Sequence, residues 1–386
     1  MKILFVSNLY PSAREPNRGL PNARLLRHLS QEHDIRLLVA RPKLLPPHAD
    51  GVNQQGDTPL AEDLPLAPRI AHVPYAPKLG SLLNRRLYAR GIRAAFAKTL
   101  AEGRPDAVLV AWLFPDLCGV LPLAAAHGLP VFGIAQGSDA HQYLDMPLRR
   151  RQILRAGKAA SGIITRSQDL ANRLELAGLP AASLRTVYNG VDTDRFRPGD
   201  RLETRPDLGL PPELPVVLYV GNLLPIKNPA LLLEAFARLS RDTQLVYVGE
   251  GALAQPLRSR AESLGLADRV HLVGPQPAAQ VAAYMQAANV LVVPSRNEGI
   301  PNVIREAFAC GLPVVATDVG GIREVVAHDW LGTLVPSEDT DSMAKAIRHW
   351  LENGADARRI RAHAEGFSWQ RTVTDCIDFI QSRLDS

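Results

Sequence analysis

Val290-Leu291-Val292-Val293 and Val314-Val315-Ala316 are short, unbroken apolar runs, the pattern of strands covered on both faces. The residues between them carry the signals of one loop and one helix. Asn297-Glu298-Gly299 has turn chemistry, and Gly299 can take a positive φ or let a ligand come close. Pro301 suits a first helical turn, Val303, Ile304, Ala307 and Phe308 give an apolar face, and Gly311 with Pro313 ends the helix. The segment is therefore a β-α-β unit, which implies a parallel sheet. Its loop lies at the carboxyl end of a strand, where open α/β sheets bind ligands. The unpaired amides that open the helix favour an anion. Glu298 on the loop and Glu306 about two turns along offer two acceptors suited to the hydroxyls of an extended ligand. The plainer alternative is two solvated acids that favour the helix dipole.

The rest of the chain bounds this picture. A chain of 386 residues exceeds one ordinary core and implies two domains. No apolar run approaches a bilayer span, and Met1-Lys2-Ile3-Leu4-Phe5-Val6 reads as a first strand rather than a leader. Cys118, Cys310 and Cys376 have no paired spacing, which fits free thiols in a cytoplasmic setting and offers no metal site. Residues 1–200 hold 26 Lys and Arg against 17 Asp and Glu, net +9, while the remainder is net −4. A basic first half either attracts an anionic partner, such as a membrane surface or a phosphorylated acceptor, or only solubilises the surface.

Glu298 and Glu306 form an E-x7-E pattern. Together with Glu298-Gly299-Ile300-Pro301-Asn302 and Glu306-Ala307-Phe308-Ala309-Cys310-Gly311-Leu312-Pro313, it resembles the retaining glycosyltransferases of the GT4 type. That resemblance implies the GT-B fold: an α/β protein with two Rossmann-like domains facing across a cleft and a C-terminal helix crossing back to the first domain. The expected divisions are an acceptor-binding domain at 1–198, a nucleotide-sugar-binding domain at 199–365 and the returning helix at 366–386.

In the first half, Ile3–Val6 and Ile35–Val39 read as strands, joined by a loop ending in Gly19 and a helix at about 21–31. No G-x-G-x-x-G is present, so a dinucleotide cofactor is not expected. The resemblance places Gly19 near the donor phosphates; an ordinary turn is the alternative. Residues 42–68 are proline-rich and read as a surface loop. Leu79 to Leu100 reads as a basic amphipathic helix, which either lies on an anionic membrane or covers the sheet. In Gln136-Gly137-Ser138-Asp139, many relatives have histidine where this chain has Gln136. Asp139 either meets the acceptor or caps the next helix.

In the second half, residues 201–215 read as a polar, proline-rich linker, followed by the strand Val216–Val220. In Gly221-Asn222-Leu223-Leu224-Pro225-Ile226-Lys227, the lysine is placed to neutralise a phosphate. Asn222 stands where relatives often have arginine, which leaves Lys227 as the principal side-chain cation on a diphosphate unless Arg296 or Arg305 substitutes. Gly249-Glu250-Gly251, after the strand Leu245–Val248, resembles a glycine segment beside the donor.

The resemblance implies sugar transfer, with retention, from a UDP- or GDP-linked hexose to a hydroxyl of a glycan or lipid-linked acceptor in cell-surface polysaccharide or glycolipid synthesis. Lys227, Glu298 and Asp139 are the expected catalytic residues. The donor is expected to meet Gly19, Gly221, Asn222, Lys227, Gly249, Glu250, Gly251, Glu298, Gly299, Ile300, Pro301, Asn302, Val303 and Glu306. No metal, no cofactor and no nucleic-acid partner is expected, and the location is cytoplasmic, peripheral on the inner membrane face. A sugar-nucleotide epimerase of similar fold and a non-catalytic nucleotide-sugar-binding subunit are the rivals.

Overall fold

The structure, a computed structural model, describes residues 1–12, 15, 18–44, 66–77 and 79–385. The chain forms two compact units, one of Met1–Asn189 with Trp369–Ser386 and one of Gly190–Ser368.

The first unit is built on a seven-stranded parallel sheet. Its strands are β1 (Lys2–Ser7), β2 (Asp34–Leu44), β3 (Arg69–Tyr75), β4 (Ala107–Ala111), β5 (Val131–Ala135), β6 (Gly162–Thr165) and β7 (Leu184–Thr186), in the order β3-β2-β1-β4-β5-β6-β7. Alternation along β1 divides its side chains between two cores. Leu4 and Val6 pack on the side that holds Tyr88, Ile92 and Phe96 of the helix Gly80–Ala101. Ile3 and Phe5 pack on the other, with Leu25 and Leu26 of the helix Leu20–Glu32. The last helix, Trp369–Leu384, belongs to this second face through Val373, Cys376, Phe379 and Ile380.

The second unit carries six parallel strands: β8 (Val216–Val220), β9 (Gln244–Val248), β10 (Val270–Gly274), β11 (Val290–Val293), β12 (Val314–Thr317) and β13 (Gly332–Val335), in the order β10-β9-β8-β11-β12-β13. All four residues of β11 are buried, as its unbroken apolar run requires. The helix Asn302–Ala309 covers one face with Ile304 and Phe308, both fully buried, and the helices Pro229–Phe236 and Thr340–Asn353 cover the other. Both units are thus Rossmann-like. In each sheet the strand order reverses once, between β1 and β4 in the first and between β8 and β11 in the second. Those reversals leave crevices at the carboxyl ends of the strands, the usual ligand positions in such sheets.

Two expectations change. The segment 42–44 continues β2, while 45–65 lies outside the described residues. The stretch 201–215 is no free linker. Asp200 caps a helix, Arg201–Asp207, that belongs to the second unit. It is fastened by Arg205, which is 4% exposed and donates to the Ala287 carbonyl at 3.0 Å and the Asn289 side chain at 2.7 Å. Truncating Arg205 leaves buried acceptors without their charged donor. Arg205→Ala should therefore lower the unfolding free energy of this unit by about 2–3 kcal/mol in denaturant titration.

Candidate active site

The candidate site is assembled from loops that follow adjacent strands of the second sheet. After β8 the chain passes through Gly221 and Asn222 to a single 3-10 turn, Pro225–Lys227. After β9 it passes through Gly249, Glu250 and Gly251. The two loops are laced together: the Gly221 amide donates to the Val248 carbonyl at 3.0 Å and the Leu223 amide to the Glu250 carbonyl at 2.7 Å. Gly249 takes a φ of 141°, and a Cβ there would lie 2.0 Å from the Gly221 carbonyl oxygen. The glycine is required for this close backbone contact.

The loop after β11 brings Glu298 to this place. The Lys227 ammonium forms an ion pair with the Glu298 carboxylate, and the Ser295 hydroxyl donates to the same Oε1 at 3.0 Å. The Glu298 side chain is 11% exposed and that of Lys227 31%, so the pair is partly open to solvent, mainly at the lysine. The loop is held from behind by the turn after β12. Gly320, at a φ of 55°, sits so close that a Cβ would lie 1.8 Å from the Glu298 carbonyl oxygen. The Gly321 amide also donates to the Gly299 carbonyl at 3.0 Å. Tyr219 adds a floor. Its hydroxyl donates to the Asn222 carbonyl at 2.8 Å. Burial, and then the Glu298 charge, push its ionisation well up, so it stays a neutral donor.

The helix Asn302–Ala309 begins four residues after Glu298, and its N-cap residue, Pro301, offers its amides no side-chain hydrogen bond. Glu306 lies on it, half-buried. The two other candidate cations already have partners. Arg296 pairs with Glu338 at 2.7 Å and donates to the Pro225 carbonyl at 2.6 Å. Arg305 is 1% exposed and donates to the Asn302 side chain at 2.7 Å. Ser295 and Gly320 were not singled out in the sequence. Gly320-Gly321 was legible as a turn, but not as the support of a loop some twenty residues earlier in the chain.

In the first unit, Gly19 opens the helix Leu20–Glu32 against the backbone at Leu9. Gln136 donates through Nε2 to Asn22 at 2.7 Å, and Asn22 donates to the Leu9 carbonyl at 2.8 Å. Asn22 thus ties the loops after β1 and β5 together, a role with no sequence signal. The Asp139 carboxylate is fully buried, and the residue lies inside the short helix Ser138–His141. It accepts the backbone N–H groups of Leu113 at 3.1 Å, Gln136 at 3.0 Å and Gly137 at 2.9 Å, and so holds the loops after β4 and β5. Burial raises its pKa to about 6 despite those hydrogen bonds. Asp116, also fully buried, accepts two hydrogen bonds from Asn8, each 2.7 Å, and burial raises it to about 7.

Comparison with known proteins agrees with this architecture. The family described as Glycosyl transferases group 1 matches residues 200–367, and Glycosyltransferase Family 4 matches residues 22–195. The chain belongs to the GT4-type glycosyltransferases, and its two α/β units are those of the GT-B fold. A D-inositol 3-phosphate glycosyltransferase of Mycolicibacterium paratuberculosis is 36% identical over 277 residues, which cover 68% of this chain and 62% of that protein. The chain thus spans about three-fifths of the length of the curated relatives it matches. Among solved structures, HepE of Anabaena in complex with UDP is 21% identical with a TM-score of 0.78, covering 99% of this chain and 100% of that one. Sucrose-phosphate synthase of Thermosynechococcus elongatus gives the same TM-score and identity, covering 99% of each chain.

The buried carboxylates predict a pH dependence. A carboxylate raised above its unfolded value binds more protons in the folded state, so its contribution is complete below pH about 4 and is lost as pH rises through the folded pKa. Stability of the first unit should therefore decline between about pH 4 and 7 on account of Asp139 and Asp116. Asp139→Asn, although less stable at every pH, should show a shallower decline between about pH 4 and 6 in thermal melts. An unchanged slope would contradict the assignment.

Proposed function

We propose that the chain is a retaining, metal-independent hexosyltransferase. It moves a sugar from a UDP- or GDP-linked donor to a hydroxyl of a glycan or lipid-linked acceptor, in cell-surface polysaccharide or glycolipid synthesis at the cytoplasmic face of a membrane. The observation that carries this reading is the meeting of Lys227 and Glu298 at the strand-order reversal, beside an uncapped helix start. HepE, the structural neighbour, is known in complex with UDP and with UDP-glucose, which supports a sugar nucleotide as donor. The name of the inositol-phosphate relatives supports an acceptor that bears both hydroxyls and phosphate.

The residues divide the work by chemistry. The diphosphate lies at the helix amides and takes a share of the Lys227 ammonium, which Glu298 holds in place. Glu306 accepts hydrogen bonds from the ribose hydroxyls, and Glu298 accepts one from the transferred hexose. In the reaction the bond from the anomeric carbon to the phosphate oxygen breaks, and the acceptor oxygen bonds that carbon on the same face. The acceptor proton passes to the departing phosphate oxygen. Negative charge grows on the diphosphate as the bond breaks, so Lys227 stabilises the transition state more than the bound donor.

Incubation with a panel of nucleotide sugars tests this reading: slow hydrolysis of one of them is expected, and failure to bind any would overturn it. With that donor, Lys227→Ala should lower kcat about tenfold or more, with a smaller change in KM. A change in kcat within about twofold would contradict the role. Glu306→Ala should weaken the free nucleotide and the sugar nucleotide alike, by about 1–3 kcal/mol in calorimetry. Glu298→Ala should depress turnover and weaken the free nucleoside diphosphate less than the sugar nucleotide, since it loses the contact to the hexose as well as the placement of Lys227.

A further inference from the structure

Lys227 closes a single 3-10 turn, and its neighbours on both sides are gripped from outside that turn. The Arg296 amide donates to the Ile226 carbonyl at 2.9 Å, and the Arg296 Nη1 donates to the Pro225 carbonyl at 2.6 Å. On the other side of Lys227, the Asn228 Nδ2 donates to Glu338 Oε1 at 3.0 Å. Glu338 also takes Arg296 in a two-pronged pair, accepting from Nε on Oε1 at 2.7 Å and from Nη2 on Oε2 at 3.2 Å. One carboxylate therefore ties together the loops after β8, β11 and β13. Arg296 precedes Glu298 by two residues, so the guanidinium that Glu338 holds joins the two loops that carry Lys227 and Glu298.

The backbone is strained at both ends of the Asn228–Glu338 contact. Among the described residues, the non-glycine residues with positive φ are Trp112, Asn228 at 49° and Glu338 at 62°. Asparagine tolerates this conformation; glutamate does so far less readily. Residues held in such conformations concentrate at functional sites. Asn228 is 3% exposed and opens the helix Pro229–Phe236, yet its side chain goes to Glu338 rather than to that helix's amides. Glu338 is set in place by its neighbour Asp339, which caps the helix Thr340–Asn353 by accepting the Ser342 amide at 2.9 Å and hydroxyl at 2.6 Å. Folding stability does not account for the contact. The Arg296 and Glu338 side chains are 44% and 55% exposed, and ion pairs so open contribute little. Glycine at 338 would also relieve the backbone. What the contact supplies is a fixed turn: with Pro225, Ile226 and Asn228 pinned, the Lys227 backbone stays in place when an anion draws the ammonium from Glu298.

We propose that Glu338 is a positioning residue for sugar transfer: through Arg296 and Asn228 it fixes the turn from which Lys227 meets the donor diphosphate. This rests on the transferase reading above and adds to it a residue that touches no substrate. The test follows hydrolysis of UDP-glucose, or of whichever UDP- or GDP-hexose the parent chain hydrolyses, alongside thermal melts of each variant. Glu338→Gly deletes the carboxylate and relieves the positive φ. Its Tm should stay level or rise while kcat falls about fivefold or more and KM changes less than about twofold. Glu338→Gln keeps an Oε1 acceptor for Asn228 and Arg296 and should recover most of that loss. In a Lys227→Ala background, Glu338→Gly should lower kcat by less than about twofold further, because the group it positions is gone. The full fivefold fall persisting in that background would overturn the proposal. So would a parental or raised kcat in Glu338→Gly, which would make the pair a restraint on Arg296, or a fall in Tm that accompanies the lost activity. Glu338→Gln as impaired as Glu338→Gly would overturn it too. A parent chain that hydrolyses no sugar nucleotide, or Lys227→Ala with the parental kcat, would instead strike the transferase reading itself.

Discussion

The position of β8 between β9 and β11 is the constraint on which the candidate site depends. Parallel pairing sends the chain out of the sheet in the same direction after each of these strands. The loops after β8, β9 and β11 are therefore forced into company, although Lys227 and Glu298 stand 71 residues apart in sequence. The strand-order reversal then opens a crevice where those loops meet. Glycine makes the crowding tolerable, since Gly249 and Gly320 each sit where any Cβ would strike a backbone carbonyl.

The Lys227–Glu298 pair is a means of placement more than of stability. Lys227 is about one-third exposed, and partly exposed ion pairs contribute little net free energy. What the pair supplies is orientation. A long, flexible ammonium is held at the Glu298 carboxylate before any anion arrives, so less side-chain entropy remains to be lost on binding. The Ser295 hydroxyl on the same carboxylate oxygen limits the glutamate in turn.

The second unit was largely legible from sequence, because its strands are unbroken apolar runs and its helix has a clear start at Pro301 and a clear stop at Gly311. The short strands β7 and β13 were not, since three or four residues of mixed burial carry too little pattern to read. The stretch 201–215 misled by composition: its polar residues include Arg205, whose hydrogen bonds reach residues more than eighty positions away. The same limit applied to the site. Residue types and loop positions pointed to Lys227, Glu298 and Glu306, but only the sheet order shows that the first two touch. Asp139 could be read as an acceptor contact or a helix cap, but not as a buried tie, because its three amide donors come from two different loops.

The central claim is that Lys227 and Glu298 act as one unit toward the donor. A double-mutant cycle of Lys227→Ala and Glu298→Ala, read as sugar-nucleotide affinity by calorimetry, tests it most directly. If the two side chains act together, the double variant should depart from the sum of the single variants by more than about 0.5 kcal/mol. Additivity within about 0.3 kcal/mol would show two independent residues and contradict the claim.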